Sequence, residues 1–169
     1  MHESLNQLGE YLVRRLSSYP LHYKVERGEL QLMTDGQSLS NVLSFLQIDT
    51  HTACEQLMDL CAIPFEEGYA LVYNVLSLDH NHRIRLLVSA GEIMPSVSNI
   101  YKNATWFERE IWDMYGILFS GHEDLRRILL EAYFEGHPLR KNFTLSGIQK
   151  EEQKINKNST KKDHQVFHG

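Results

Sequence analysis

Leu5, Leu8, Leu12 and Leu16 recur every three or four residues with polar positions between them, which predicts an amphipathic helix over Glu3–Ser17. The period then shortens. Tyr23 and Val25 alternate with polar residues, as do Leu30 and Leu32, so Leu21–Glu26 and Glu29–Met33 read as a hairpin closed by Arg27-Gly28. Leu39, Val42, Leu43 and Leu46 return to helical spacing. Cys54–Ile63 reads two ways, as a helix or as a buried strand stopped by Pro64, because it begins with helical spacing and ends in a short apolar run. Tyr69–Ser77 and Arg83–Ser89 predict a second hairpin around the polar turn at residues 78–82. Pro95 suits the first turn of a short helix reaching Tyr101. Thr105 and Glu108 form a capping-box pattern that starts a last helix, with Gly116 as its stop after Tyr115. On that helix Phe107, Ile111 and Met114 are expected to face the core.

Helices and hairpins mixed in this way predict one α+β domain over residues 1–149. Residues 150–169 change character: they are polar, aperiodic and hold five lysines against three acids, the pattern of a disordered or partner-ordered tail. The remainder then carries 12 bases and 19 acids, which argues against a nucleic-acid surface. No apolar run approaches the ~18–20 residues of a membrane span. The N-terminus lacks the apolar stretch of a signal peptide and the arginines of a mitochondrial presequence, so the chain is expected to work in the compartment where it is made.

Candidate chemistry is sparse. Cys54 and Cys61, seven apart, fit neither a redox pair nor a metal or cluster set, and read as reduced, buried hydrophobes. His80 and His82 fall in a turn with no third ligand suggested nearby. Gly116, Gly121 and Gly136 form no phosphate-cradling loop. Glu110 and Asp113, three residues apart, share one face of their helix and Glu108 lies on another, so the carboxylates do not converge on one point as a catalytic pair would. A free-standing hydrolase using Glu110, His122 and His137 is the enzymatic alternative.

The densest signal lies in residues 104–147. Glu108-Arg109-Glu110 is followed by Asp113, Met114 and Tyr115, then His122, Arg126, Arg127, Ile128 and Leu129, then Glu135-Gly-His137-Pro-Leu-Arg140-Lys141. Arginines among carboxylates, aromatics and branched aliphatics suit a subunit interface with charged pairs over an apolar floor. This run closely resembles the signature region of the 30-kDa-type subunit, also called the C subunit, of the proton-pumping NADH:quinone oxidoreductase, respiratory complex I. The spacing agrees throughout: six residues separate Tyr115 from His122, and three separate His122 from Arg126. Residues 71–77 and His82-Arg-Ile-Arg85 are similar to the family's central hairpin. Asn142 stands where the family usually has Asp, and Thr144 where Pro is usual.

The resemblance implies helices packed on a mixed sheet. It also implies a non-catalytic peripheral-arm subunit that contacts the 49-kDa-type subunit and its cluster-bearing neighbours beside the quinone-reducing region. FMN and the iron–sulfur clusters would lie in partner subunits, with no cofactor, catalytic residue or metal ligand in this chain. Electrons would pass from NADH to quinone, coupled to proton translocation, in the assembly as a whole. Membrane association would come through the complex only, on the cytoplasmic face of a bacterial inner membrane or the matrix face of a mitochondrial one. Glu108, Arg109, Glu110, Asp113, His122, Arg126, Arg127, Glu135, His137, Arg140 and Lys141 would then be signature and interface residues. The equivalent subunit of a related membrane-bound hydrogenase complex is the neighbouring alternative.

Overall fold

The computed structural model describes residues 2–65 and 68–143, so the tail beyond Phe143 lies outside the described residues. Helix α1 spans His2–Arg15 and is followed by the hairpin β1 (His22–Glu26) and β2 (Glu29–Thr34). Arg27 and Gly28 both take positive φ, at 54° and 81°. Two successive left-handed residues make the tight turn whose twist matches that of the flanking strands. Helix α2 covers Leu39–Ile48, and a second antiparallel pair follows as β3 (Gln56–Phe65) and β4 (Gly68–Ser77). Then come β5 (His82–Ala90), the short β6 (Ile93–Pro95), α3 (Ala104–Tyr115) and β7 (Leu118–Ser120).

Five strands form a mixed sheet in the order β1-β2-β5-β4-β3, with β2 parallel to β5 and the other pairs antiparallel. One sheet face is apolar through every strand of the interior: Leu32, Leu86, Tyr73 and Leu60 sit in register across it, all buried. Helix α1 packs on β1 and β2, and α3 on β3. Val42, Leu43 and Leu46 bring α2 into the same core. This is the expected α+β domain of helices on a mixed sheet.

The ambiguous segment from Cys54 is a strand. A β-bulge between Leu57 and Asp59 slips the register by one residue, so Leu57 and Leu60 both face the core while Met58 is expelled to solvent. A bulge of this kind sets buried residues three apart, the interval of a helix. Pro64 does not stop the strand. It pairs opposite Tyr69 on an edge strand, where a missing N–H costs no ladder bond.

The short helix expected from Pro95 is absent. Pro95 instead ends β6, which runs parallel to β7, and a single turn closed by Val97 O and the Tyr101 N–H follows. Helix α3 begins one residue before Thr105, and Thr105 does not cap it. Asn103 is the N-cap and makes no side-chain cap bond. The C-terminal stop is as expected: Gly116 is left-handed at φ 73° and its N–H reaches Trp112 O. Ile111 is buried and Phe107 packs on the core, while Met114 is half-buried.

Candidate functional site

Helix α3 is the post on which residues 121–143 are hung. That segment has no regular secondary structure and follows the left-handed Gly121. Its backbone polar groups must therefore find partners outside any ladder. Asp113, in the last turn of α3 and fully buried, supplies the main one. Its Oδ2 accepts the successive N–H groups of Ile128, Leu129 and Leu130 at 3.1, 2.9 and 3.0 Å. Its Oδ1 accepts from the Arg127 guanidinium. Burial alone would raise this carboxyl's pKa. The Leu130 N–H, the Arg127 guanidinium and the other two N–H groups outweigh it and hold the pKa at about 2.

Arg127 is held as firmly from its own side. Beyond Asp113 it donates to Gly136 O at 2.9 Å, and its guanidinium carbon lies 5.6 Å from the ring centres of both Trp112 and Phe134. Arg109 reaches back from α3 to the same stretch, donating Nε to Arg126 O at 3.1 Å and Nη2 to Arg127 O at 3.0 Å. His137 Nδ1 lies 3.0 Å from Asp113 O, and its ring packs edge-on to Trp112. Arg140 donates Nε to Tyr115 O at 2.7 Å and Nη2 to Gly116 O at 3.3 Å, where the helix dipole is negative. A Cβ on Gly116 would stand 2.6 Å from His137 Cδ2, so glycine here serves close packing as well as backbone conformation.

The other end of α3 holds a second buried group. Glu108 is fully buried and accepts from the Val97 N–H and from Ser96 Oγ, both at 2.7 Å. Burial raises its pKa, against the lowering effect of those bonds and of His122. His122 Nε2 lies 4.0 Å from Glu108 Oε2 but 3.0 Å from Thr105 O, and its Nδ1 accepts the Asp124 N–H at 3.0 Å.

The signature thus divides. Glu108, Arg109, Asp113, His122, Arg127, His137 and Arg140 bind other parts of their own chain. Glu110 and Glu135 are exposed, and Arg126 pairs with Asp124, with 72% of its side chain open. Lys141 donates its backbone N–H to Tyr69 Oη at 3.1 Å. His122 and His137 are fastened to Thr105 and Asp113, eight residues apart on α3, or roughly 12 Å along its axis. Glu110, His122 and His137 therefore do not assemble as a hydrolytic centre.

Elsewhere, the His80 and His82 rings stack with centroids 5.6 Å apart; His80 is exposed and His82 half-buried. Cys54 is buried, its thiol pushed up to about 12 by desolvation, and Cys61 is half-buried and raised for the same cause. Both are free. No group of three His, Cys, Asp or Glu suited to a metal occurs among the described residues. Ser96, Val97, Thr105 O and the Trp112–Phe134 sandwich were missed in the sequence, which carries no spacing rule for such distant partners.

Residues 32–149 match the family model described as the respiratory-chain NADH dehydrogenase 30 Kd subunit. The chain belongs to that family. It is 44% identical over 153 residues to the C subunit of the NADH-quinone oxidoreductase of Paramagnetospirillum magneticum, covering 87% of this chain and 77% of the relative. It is 43% identical over 152 residues to the same subunit of Rhodospirillum rubrum, covering 87% and 71%. In fold it is similar to a trypsin-resistant fragment of Nqo5, with a TM-score of 0.59, 23% identity, and coverage of 72% of this chain and 99% of that one. It is also similar in fold to a chain of an archaeal membrane-bound sulfane sulfur reductase, with a TM-score of 0.68, 20% identity, and coverage of 96% of both. No helix among the described residues is long and apolar enough to cross a membrane.

Proposed function

We propose that this chain is a non-catalytic peripheral-arm subunit of the NADH:quinone oxidoreductase and scaffolds the region beside the quinone-reducing subunits. The family match across residues 32–149 carries the reading. The geometry supports it: Asp113, His122 and His137 spend polar atoms on holding residues 121–143 against α3, and Glu108 ties Ser96 and Val97 to the same helix. Groups used in this way build a surface; they do not present a reacting atom. In this proposal FMN and iron–sulfur clusters reside in partner subunits, and the 49-kDa-type subunit is the chief neighbour. NADH oxidation, quinone reduction and proton translocation belong to the assembly, and the chain reaches the membrane only through it.

Co-purification tests this. The tagged full-length chain, extracted in mild detergent, is expected to bring down flavin- and cluster-bearing polypeptides with NADH:quinone activity, and to be colourless when purified alone. Recovery without partners, or a stoichiometric chromophore on the chain itself, overturns the proposal. Recovery with a hydrogenase in place of NADH-oxidising subunits selects the alternative complex.

A further inference from the structure

The clamp on Asp113 leaves a groove of about 540 Å³ between α3 and the hung segment, lined by Arg109, Trp112, Leu125, Arg126, Arg127, Leu130 and Ala132. Three cations line it, and two of them face one carboxylate each. Arg127 is neutralised by Asp113, and Arg126 faces Asp124. Arg109 donates to carbonyl oxygens, at Arg126 and Arg127, so its charge is not offset by those bonds. The chain as a whole is acidic, with a net charge of −5. A basic groove on an acidic protein is a local reversal that repels the chain's own kind of surface and attracts carboxylates.

The lining is also apolar, through Trp112, Leu125 and Leu130. The same stretch continues in exposed Leu129 and Tyr133, 59% and 80% open. A free inorganic anion needs none of this apolar surface. A polypeptide segment that carries both acids and apolar side chains uses all of it, and tyrosine with arginine around a desolvated centre is the usual make-up of an interface core.

From this we infer that the groove is a docking site for an acidic, partly apolar segment of a partner protein. Its carboxylates pair with Arg109 and Arg126 while its apolar residues cover Trp112, Leu130 and Tyr133. Arg127 and Asp113 hold the groove open and are not themselves available to the partner. The inference deepens the subunit reading and rests on it.

Photo-crosslinking within the intact complex tests it. A benzophenone amino acid is placed at Ala132, on the groove, and as a control at exposed Met58 on β3. The expected crosslink from position 132 is to another polypeptide, at a peptide with Asp or Glu within a few residues of the attachment point. Arg126→Gln removes an exposed charge without touching the Asp113 clamp. It is expected to lower the crosslink yield at 132 by roughly tenfold, as about 1.4 kcal/mol of lost pairing would do, and to leave the Met58 yield unchanged. Attachment at 132 to a segment without acids, to lipid, or to nothing, in a chain that still co-purifies with its partners, overturns the groove assignment and leaves the subunit reading standing. An unchanged yield with Arg126→Gln does the same. A chain that brings down no partner overturns both.

Discussion

Replacing Asp113 by Asn removes one charge and keeps the shape, which makes it the sharpest test of how residues 121–143 are held. The folded carboxyl is held at about 2, well below its ordinary 3.8. The fold therefore favours the ionised over the protonated carboxyl by roughly 2 kcal/mol. Asn cannot offer that charge, and its NH2 group must face either Arg127 or the N–H groups of Ile128, Leu129 and Leu130, which are donors themselves. Arg127, 13% exposed, is then left without its anion. Removing one partner of a buried pair costs about 3–5 kcal/mol, so the expected loss lies in that range, with a fall in Tm on the order of 10 °C.

Urea unfolding of the purified wild-type chain, Asp113→Asn, Arg127→Met and the double variant measures this directly. The double variant is expected to lose less than the sum of the singles, since each single leaves an unpaired group. The pH dependence gives an independent reading. A depressed carboxyl contributes stability above its unfolded pKa, and that contribution is lost as pH falls from about 3.8 through 2. The wild type should show this loss and Asp113→Asn should lack it. A loss below about 0.5 kcal/mol in Asp113→Asn, the range of an ordinary surface change, would refute the clamp.

Gly9→Ala is expected to destabilise by about 1–3 kcal/mol despite better helix propensity, because the new Cβ would sit 2.3 Å from the Tyr23 ring; thermal unfolding checks it, and a rise in Tm contradicts it. Glu108→Gln should stay within about 1 kcal/mol of wild type at pH 7–8, while Glu108→Ala, which strands the Val97 N–H, should lose about 2–3 kcal/mol. The raised carboxyl of Glu108 contributes stability below about 4.5 that is lost as pH rises through its folded pKa, so stability-versus-pH curves of wild type and Glu108→Gln should diverge upward from there. Deleting residues 152–169, whose polar composition offers little to bury, should leave Tm within a few degrees of wild type, and a fall of many degrees would show that they pack on the domain.

Local periodicity was enough for the helices and for the two hairpins with regular alternation. In α1 and α2 the leucines recur at the helix period because one face meets the core, and no distant residue is needed to see it. The Arg27-Gly28 turn and the Gly116 stop were legible for a similar reason, since each depends on the backbone freedom of one or two residues. The signature spacing in residues 108–141 identified the family, because spacing is a property of the chain alone. What the sequence could not decide depends on partners far along the chain. The bulge after Leu57 gives β3 a helix-like interval, and only its pairing with β4 reveals the slip. Pro95 looks like a helix start until β7 arrives beside it. Glu108 looks like half of a capping box until Ser96 and Val97 fold onto it. Whether a charged signature faces another protein or its own backbone is likewise a matter of tertiary contact: Asp113 finds Arg127 and three amides only because residues 121–143 return along α3.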